Sequence, residues 1–210
     1  HVLSCTAQTR ITMNTRHEAI TSFLRTIVTF AGARTVETFL RPPQDSSNRQ
    51  VSDLLFGHFT LPSRHIPRPM NLDISVVHAP AQSYINRSRN NHSAAVPLLA
   101  AEQRERQKAA KYQDRLRRNG QDFLPFVLES TGAWGPSVVR FVQLVGSHLE
   151  YVGNADAALN RHQQKHPLYV YGLPSGAGFW GFMRRALAVL IARTNSTIFF
   201  SACAHTHYAQ

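Results

Sequence analysis

The sequence predicts an α/β domain, a central sheet covered by helices, and three observations carry that prediction. Segments with three-to-four apolar spacing alternate with short β-branched or aromatic runs. Their order is helix, strand, strand, strand, helix, strand, then helices, which suits a sheet packed between helical layers. The 210 residues, 43% of them hydrophobic, are enough for one substantial core.

The first helix is expected over Asn14–Ala31, where Ile20, Phe23, Leu24, Ile27 and Phe30 form a buried stripe and Gly32 provides a stop. A short strand follows at Val36–Leu40, then a polar, Pro-bearing loop at Arg41–Arg49. Strands are expected at Asp53–Leu61 and Leu72–Val77, separated by a segment whose prolines exclude regular pairing. Ala81–Ser93 reads as irregular. The clearest helix is Leu98–Asn119, closed by Gly120, and the strand Phe123–Glu129 comes next. After the turn TGAWGPS, Val138–Val152 reads as an amphipathic helix and Asn154–His166 as a polar stretch with room for a short one. Tyr169–Gly178 is turn-rich, Phe179–Arg193 is a largely apolar helix, and the tail from Ser201 is expected to fray. No internal repeat is visible.

Net charge is +11, from 23 Lys+Arg against 12 Asp+Glu, which favours a polyanionic partner through counterion release. Nucleic acid is the expected one, the alternative being a generally basic surface with no specific partner. No apolar run of the roughly eighteen residues needed to cross a membrane is present. No basic-then-apolar leader follows His1, and a chain beginning at His is expected to be a piece of a longer one. Two cysteines, Cys5 and Cys203, make no disulfide framework and suit a reducing, intracellular compartment.

Against this basic background, three acidic residues lie in strand-like apolar runs: Asp53, Asp73 and Glu129. Carboxylates there are costly unless a cation meets them. Several at the ends of neighbouring strands suit a hard divalent ion such as Mg²⁺. On the long helix, Arg104, Lys108, Lys111, Arg115 and Arg118 recur at spacings of four, three, four and three, and so share one face. Ala109, Tyr112 and Leu116 form an adjacent apolar face. The stripe is either a solvated surface or a ridge that tracks phosphates beside a metal site. Like charges at these spacings repel by a few tenths of a kcal/mol per pair, roughly, which argues for a use.

The ordered set HVLSC (His1–Cys5), RHEAI (Arg16–Ile20), SDLL (Ser52–Leu55), LDISVVHAP (Leu72–Pro80), KAAKY (Lys108–Tyr112) and FLPFVLESTGAWGPS (Phe123–Ser137) resembles the C-terminal part of non-LTR retrotransposon polyproteins. There a restriction-endonuclease-like domain of the PD-(D/E)xK superfamily follows the reverse transcriptase. Phe179–Ser196 is similar to the helix found after that domain, and the likeness is weakest in Ala79–Val96 and Asn154–Gly178. The resemblance implies a core of helix, three strands, helix and strand over residues 14–152. A remnant of a zinc-motif linker would precede it at 1–13, and a helical extension and tail would follow at 153–210.

It also implies Mg²⁺ or Mn²⁺ ligands at Asp53 and Asp73, with support from Glu18 and Glu129. The lysine usually found two residues after the second acid is replaced by Ser75, so its role falls to Lys108 or Lys111. The proline expected before the first aspartate is Ser52, a change that stiffens the approach less without removing a ligand. The implied activity is metal-dependent nicking of DNA, leaving a 3′-hydroxyl that primes an upstream reverse transcriptase, in the nucleus. Element RNA is a further expected partner.

Within that reading Lys111 is expected to be catalytic together with Asp53 and Asp73, because it precedes the sheet-facing Tyr112 and can fold its stem along the apolar edge. Lys108 is expected to meet a flanking phosphate. Arg104, Arg115, Arg118, Arg184 and Arg185 complete the nucleic-acid surface, and binding should weaken steeply with salt. His1 and Cys5 have the spacing of half a zinc site, which takes Zn²⁺ only if an upstream segment completes it. His205 and His207, near Cys203, read as no site. Trp134 is expected to pack under its loop rather than stack on a base. Two other readings stand beside the nuclease: a degenerate copy that binds nucleic acid without cutting it, and a basic RNA-binding structural protein. The last predicts that Asp53, Asp73 and Lys111 do not cluster.

Overall fold

A computed structural model describes residues 9–31, 34–36, 53–57, 68–78, 98–159 and 176–207, with side chains for 14–31, 53–57, 68–78, 98–150 and 178–198. Its elements are α1 (Thr9–Phe30), β1 (Arg34–Val36), β2 (Leu54–Gly57), β3 (Met70–Val77), α2 (Leu99–Arg118), β4 (Asp122–Glu129), α3 (Pro136–Leu159) and α4 (Gly176–His207). The protein is mixed α/β. The four strands lie in chain order, β1–β2 and β2–β3 antiparallel and β3–β4 parallel. A parallel neighbour needs a crossover, and α2 supplies it.

Alternation along β3 and β4 divides the two faces of the sheet. Leu72 and Ile74, with Leu124, Phe126 and Leu128, join the main core beneath α1, α3 and α4. On the other face Val77 and Val127 meet Ala100 and Ala101 of α2, whose small side chains let the helix lie close. Phe141 of α3 sits edge-on to both Phe56 and Phe126, with ring centroids 6.2 and 5.5 Å apart, and pins α3 under the two strands. On α4, Phe179, Met183, Leu187, Ile191 and Thr194 form one buried stripe, while Arg184, Arg185 and Arg193 stay exposed.

Helix α2 ends as its sequence indicates. Gly120 adopts a φ of 70°, its N–H bonds to Arg117 O, and the Gln121 N–H reaches back to Leu116 O. That closes the helix with a left-handed glycine turn. Its start is less regular, because Leu98 occupies the left-handed region at φ 66° with no side-chain cap. Such a conformation costs a residue with a Cβ about 1–2 kcal/mol.

Several boundaries differ from expectation. The first strand begins at Arg34, and residues 37–40 lie outside the described residues, as do Arg41–Arg49 and Ala81–Ser93. The described part of the second strand is Leu54–Gly57, with Asp53 just outside it. Helix α3 continues through Asn154 to Leu159. Helix α4 runs to His207 where fraying was expected, because no Gly or Pro interrupts the chain between Phe182 and His207. Among the described residues no helix is long and apolar enough to cross a membrane.

Candidate functional site

The register of the sheet sets the site. Leu54 pairs with Leu72, so Asp53 stands across from Asp73 where β2 begins. Like charges directly opposite in an antiparallel pair repel. Both carboxylates belong to the sheet face covered by α2, since Asp53 shares the parity of Leu55 and Asp73 that of Ser75 and Val77. Their side chains are 18% and 17% exposed, so water only partly relieves the repulsion.

Three groups offset it. The Ile74 N–H donates to Asp53 Oδ2 at 2.6 Å. His17, on α1, brings Nε2 to within 3.0 Å of the same oxygen. Lys108, on α2, places its ammonium on Asp73 Oδ1. Lys108 is 6% exposed, and it is the member of the basic stripe that turns inward to the sheet.

Protonation follows from these contacts. Burial pushes the Asp53 carboxyl up, but the His17 hydrogen bond and charge and the Ile74 N–H outweigh it and leave Asp53 below the usual range. Burial also pushes Asp73 up, and there the Lys108 hydrogen bond and charge do not fully compensate, so Asp73 stays raised, with the Asp53 charge adding to the rise. The hydrogen bond to Asp53 raises His17 against the opposing effect of burial. Burial lowers Lys108 more than Asp73 raises it.

The remaining expected site residues lie elsewhere. Lys111 does not reach the aspartates: it is exposed, with Nζ 4.9 Å from the centroid of the adjacent Tyr112 ring. Tyr112 packs edge-on against Phe123, as its sheet-facing assignment required, and that leaves Lys111 on the solvent side. Glu18 is exposed and makes no ion pair with a described residue; the contact from α1 comes from its neighbour His17.

Glu129 pairs with Val77, four residues beyond the Asp73–Pro125 pair, which separates it from the aspartates by about 13 Å of strand. Its carboxyl is raised by burial and favoured in its charged form by the Ala101 N–H and by Thr131, so it serves the start of α2. Arg115 and Arg118 are exposed on the Lys108 side of α2, and Arg104 is partly exposed there, as the stripe predicted. Arg184 and Arg185 are exposed on α4. Trp134 stacks on Trp180 at 5.7 Å, a packing role. His1 and Cys5 lie outside the described residues, and so do the side chains of Cys203, His205 and His207.

Among the described residues no group of three or more His, Cys, Asp or Glu side chains is arranged to hold a metal ion. The protein side of any cation site here is therefore the two aspartates. Mg²⁺ accepts that arrangement, since it is often held by one or two carboxylates, with waters and substrate phosphates completing its shell. Two carboxylates opposed across neighbouring strands are themselves an arrangement whose repulsion a bound cation would relieve. Comparison with protein-family models, curated proteins and solved structures finds no match to this chain.

Proposed function

We propose that the chain is a Mg²⁺- or Mn²⁺-dependent nuclease module of the restriction-endonuclease-like kind, of the sort carried at the C-terminal end of non-LTR retrotransposon polyproteins. Its reaction is the nicking of DNA to leave a 5′-phosphate and a 3′-hydroxyl. The observation that carries this reading is the meeting of Asp53 and Asp73 across β2 and β3, with the Lys108 ammonium on Asp73. The described element order of helix, three strands, helix and strand, with β3 and β4 parallel, is compatible with it.

Asp53 and Asp73 would hold the ion, which when bound polarises a phosphoryl oxygen and makes hydroxide available near neutral pH. His17 and the Ile74 N–H fix one oxygen of Asp53 and keep that carboxylate ionised. Lys108 is beside the acidic pair, where its ammonium stabilises the charge that builds on the phosphate. A lysine delivered from α2 does the work for which Ser75 has no charge.

One observation favours a second reading. Each carboxylate already has a cationic partner within the chain, His17 on Asp53 and Lys108 on Asp73, as a degenerate copy that keeps its fold without metal would require. Plasmid nicking separates the two. Conversion of supercoiled to relaxed DNA with Mg²⁺ or Mn²⁺, lost in Asp73→Ala, supports the nuclease. DNA binding with no cleavage at any metal concentration supports the degenerate copy.

A further inference from the structure

A second charged feature lies on the other flank of α2. At about 100° per residue, Arg106, Gln113 and Arg117 stand roughly 140–180° round the helix from Lys108. They line a cleft of about 580 Å³ between α2, strand β4 and the first turn of α3, where Arg140 and Phe123 join them and Arg68 enters from ahead of β3. The four arginines are exposed, and none makes an ion pair or a side-chain hydrogen bond with a described residue. Two carboxylates also line the cleft. Glu105 is committed to α3, accepting from Ser137 N at 3.0 Å and Ser137 Oγ at 2.9 Å, and Asp122 stands at the start of β4.

We infer that this cleft binds a single strand of nucleic acid, apart from the Asp53–Asp73 site and whether or not that site cuts. Arg106 and Arg117 are eleven residues apart, about 16 Å of helix rise, and with Arg68 and Arg140 they spread positive charge along the cleft. Charge spread in this way suits a ligand that carries more than one phosphate. Gln113 and the amide N–H groups of Gln121, whose oxygen accepts from Asn71 Nδ2 at 3.1 Å, add neutral polar groups, and Phe123, packed edge-on against Tyr112, also lines the cleft. A basic track beside an aromatic surface is how single strands are held without sequence readout. The volume also matches a pocket for a small ligand, and so one or two nucleotides rather than a duplex.

The test is fluorescence anisotropy of the full chain with a labelled oligothymidylate in metal-free buffer, across a salt series. Arg106→Ala/Arg140→Ala is expected to weaken binding about tenfold and to flatten the slope of log K against log salt by about 1.4, for two single-strand phosphate contacts. Arg106→Lys/Arg140→Lys should restore the slope. Should the double alanine variant fail to fold by circular dichroism, Arg68→Ala, ahead of β3, must show about half that change in slope. An unchanged affinity and slope would overturn the proposal. So would polyglutamate binding as tightly as the oligonucleotide, or a loss confined to a duplex of the same length. Because no metal is present and Asp53, Asp73 and Lys108 are intact, failure here leaves the cleavage reading standing, and failure of cleavage leaves this one standing.

Discussion

Lys108, not Lys111, meets Asp73. The two lysines are three residues apart on one helical stripe, yet one is buried against the aspartate and the other lies in solvent over Tyr112. If the site cleaves DNA, Lys108→Ala should lower the nicking rate about 10²–10³-fold, the usual loss when one group that stabilises transition-state charge is removed. Lys111→Ala should stay within about twofold of wild type. Single-turnover nicking of both variants decides the matter, and equal losses would remove Lys108 from its role.

Cation binding should be visible in stability before any cleavage is measured. An ion that enters between Asp53 and Asp73 binds only the folded chain, so at a concentration 100 times its Kd it adds about 2.7 kcal/mol. Thermal melting with and without Mn²⁺ should show an upward shift in wild type and none in Asp73→Asn. A shift of the same size in both would place the ion elsewhere.

The sequence made the sheet and its acidic pair readable because their signals are local. Alternation and turn residues set the strands, and an aspartate in an apolar run is conspicuous. What it did not show was which side chains converge from distant elements. Lys108 and Lys111 share a stripe about 100° wide, and only the packing of Tyr112 on Phe123 and of Ala100 and Ala101 on the sheet turns Lys108 inward. The sequence points to Glu18 rather than His17 because one step along a helix changes the direction of a side chain by about 100°, and the face aimed at Asp53 depends on how α1 docks. The arginine cleft escaped for a related reason: Arg68, Arg106, Arg117 and Arg140 come from three segments and make no periodic pattern.

Glu129 separates a metal-site role from a structural one. Its position about 13 Å along the strand from the aspartates predicts that Glu129→Gln leaves nicking within about twofold of wild type. Loss of a negative charge beside the first turn of α2 should still lower stability by roughly 0.3–1 kcal/mol. Urea unfolding together with the nicking assay tests both halves, and a large loss of activity at unchanged stability would return Glu129 to the site.

Gly135 is a sharper probe of how α3 is held. A Cβ there would collide with Glu105 Oε1 and come within 2.9 Å of Val127 O. The carboxylate has little freedom to retreat, because Ser137 holds both of its oxygens at the start of α3. Gly135→Ala should therefore destabilise the fold by about 1–3 kcal/mol, the range for overpacking a buried position. A midpoint in urea equal to that of wild type would show that the turn yields freely.

The His17–Asp53 contact predicts a pH window. His17 is raised in the folded chain from its ordinary 6.5, so its contribution is complete below 6.5 and is lost as pH rises through the folded value. Asp53 is lowered from 3.8, so its contribution is complete above 3.8 and is lost as pH falls through the folded value. The pair is at full strength between those two ordinary values. Asp73, raised from 3.8, favours the folded chain when protonated, so it too costs stability as pH rises above 3.8. The difference between wild type and His17→Gln isolates the histidine from that background. In metal-free buffer this difference should be largest between those two ordinary values and shrink as pH rises through the folded value of His17, above which the imidazole is neutral and acts through its hydrogen bond alone. His17 is 36% exposed, so solvent screening keeps the effect small and salt should reduce it further. Urea midpoints at several pH values measure it, and a difference that is flat or grows with pH would mean that His17 carries no charge against Asp53.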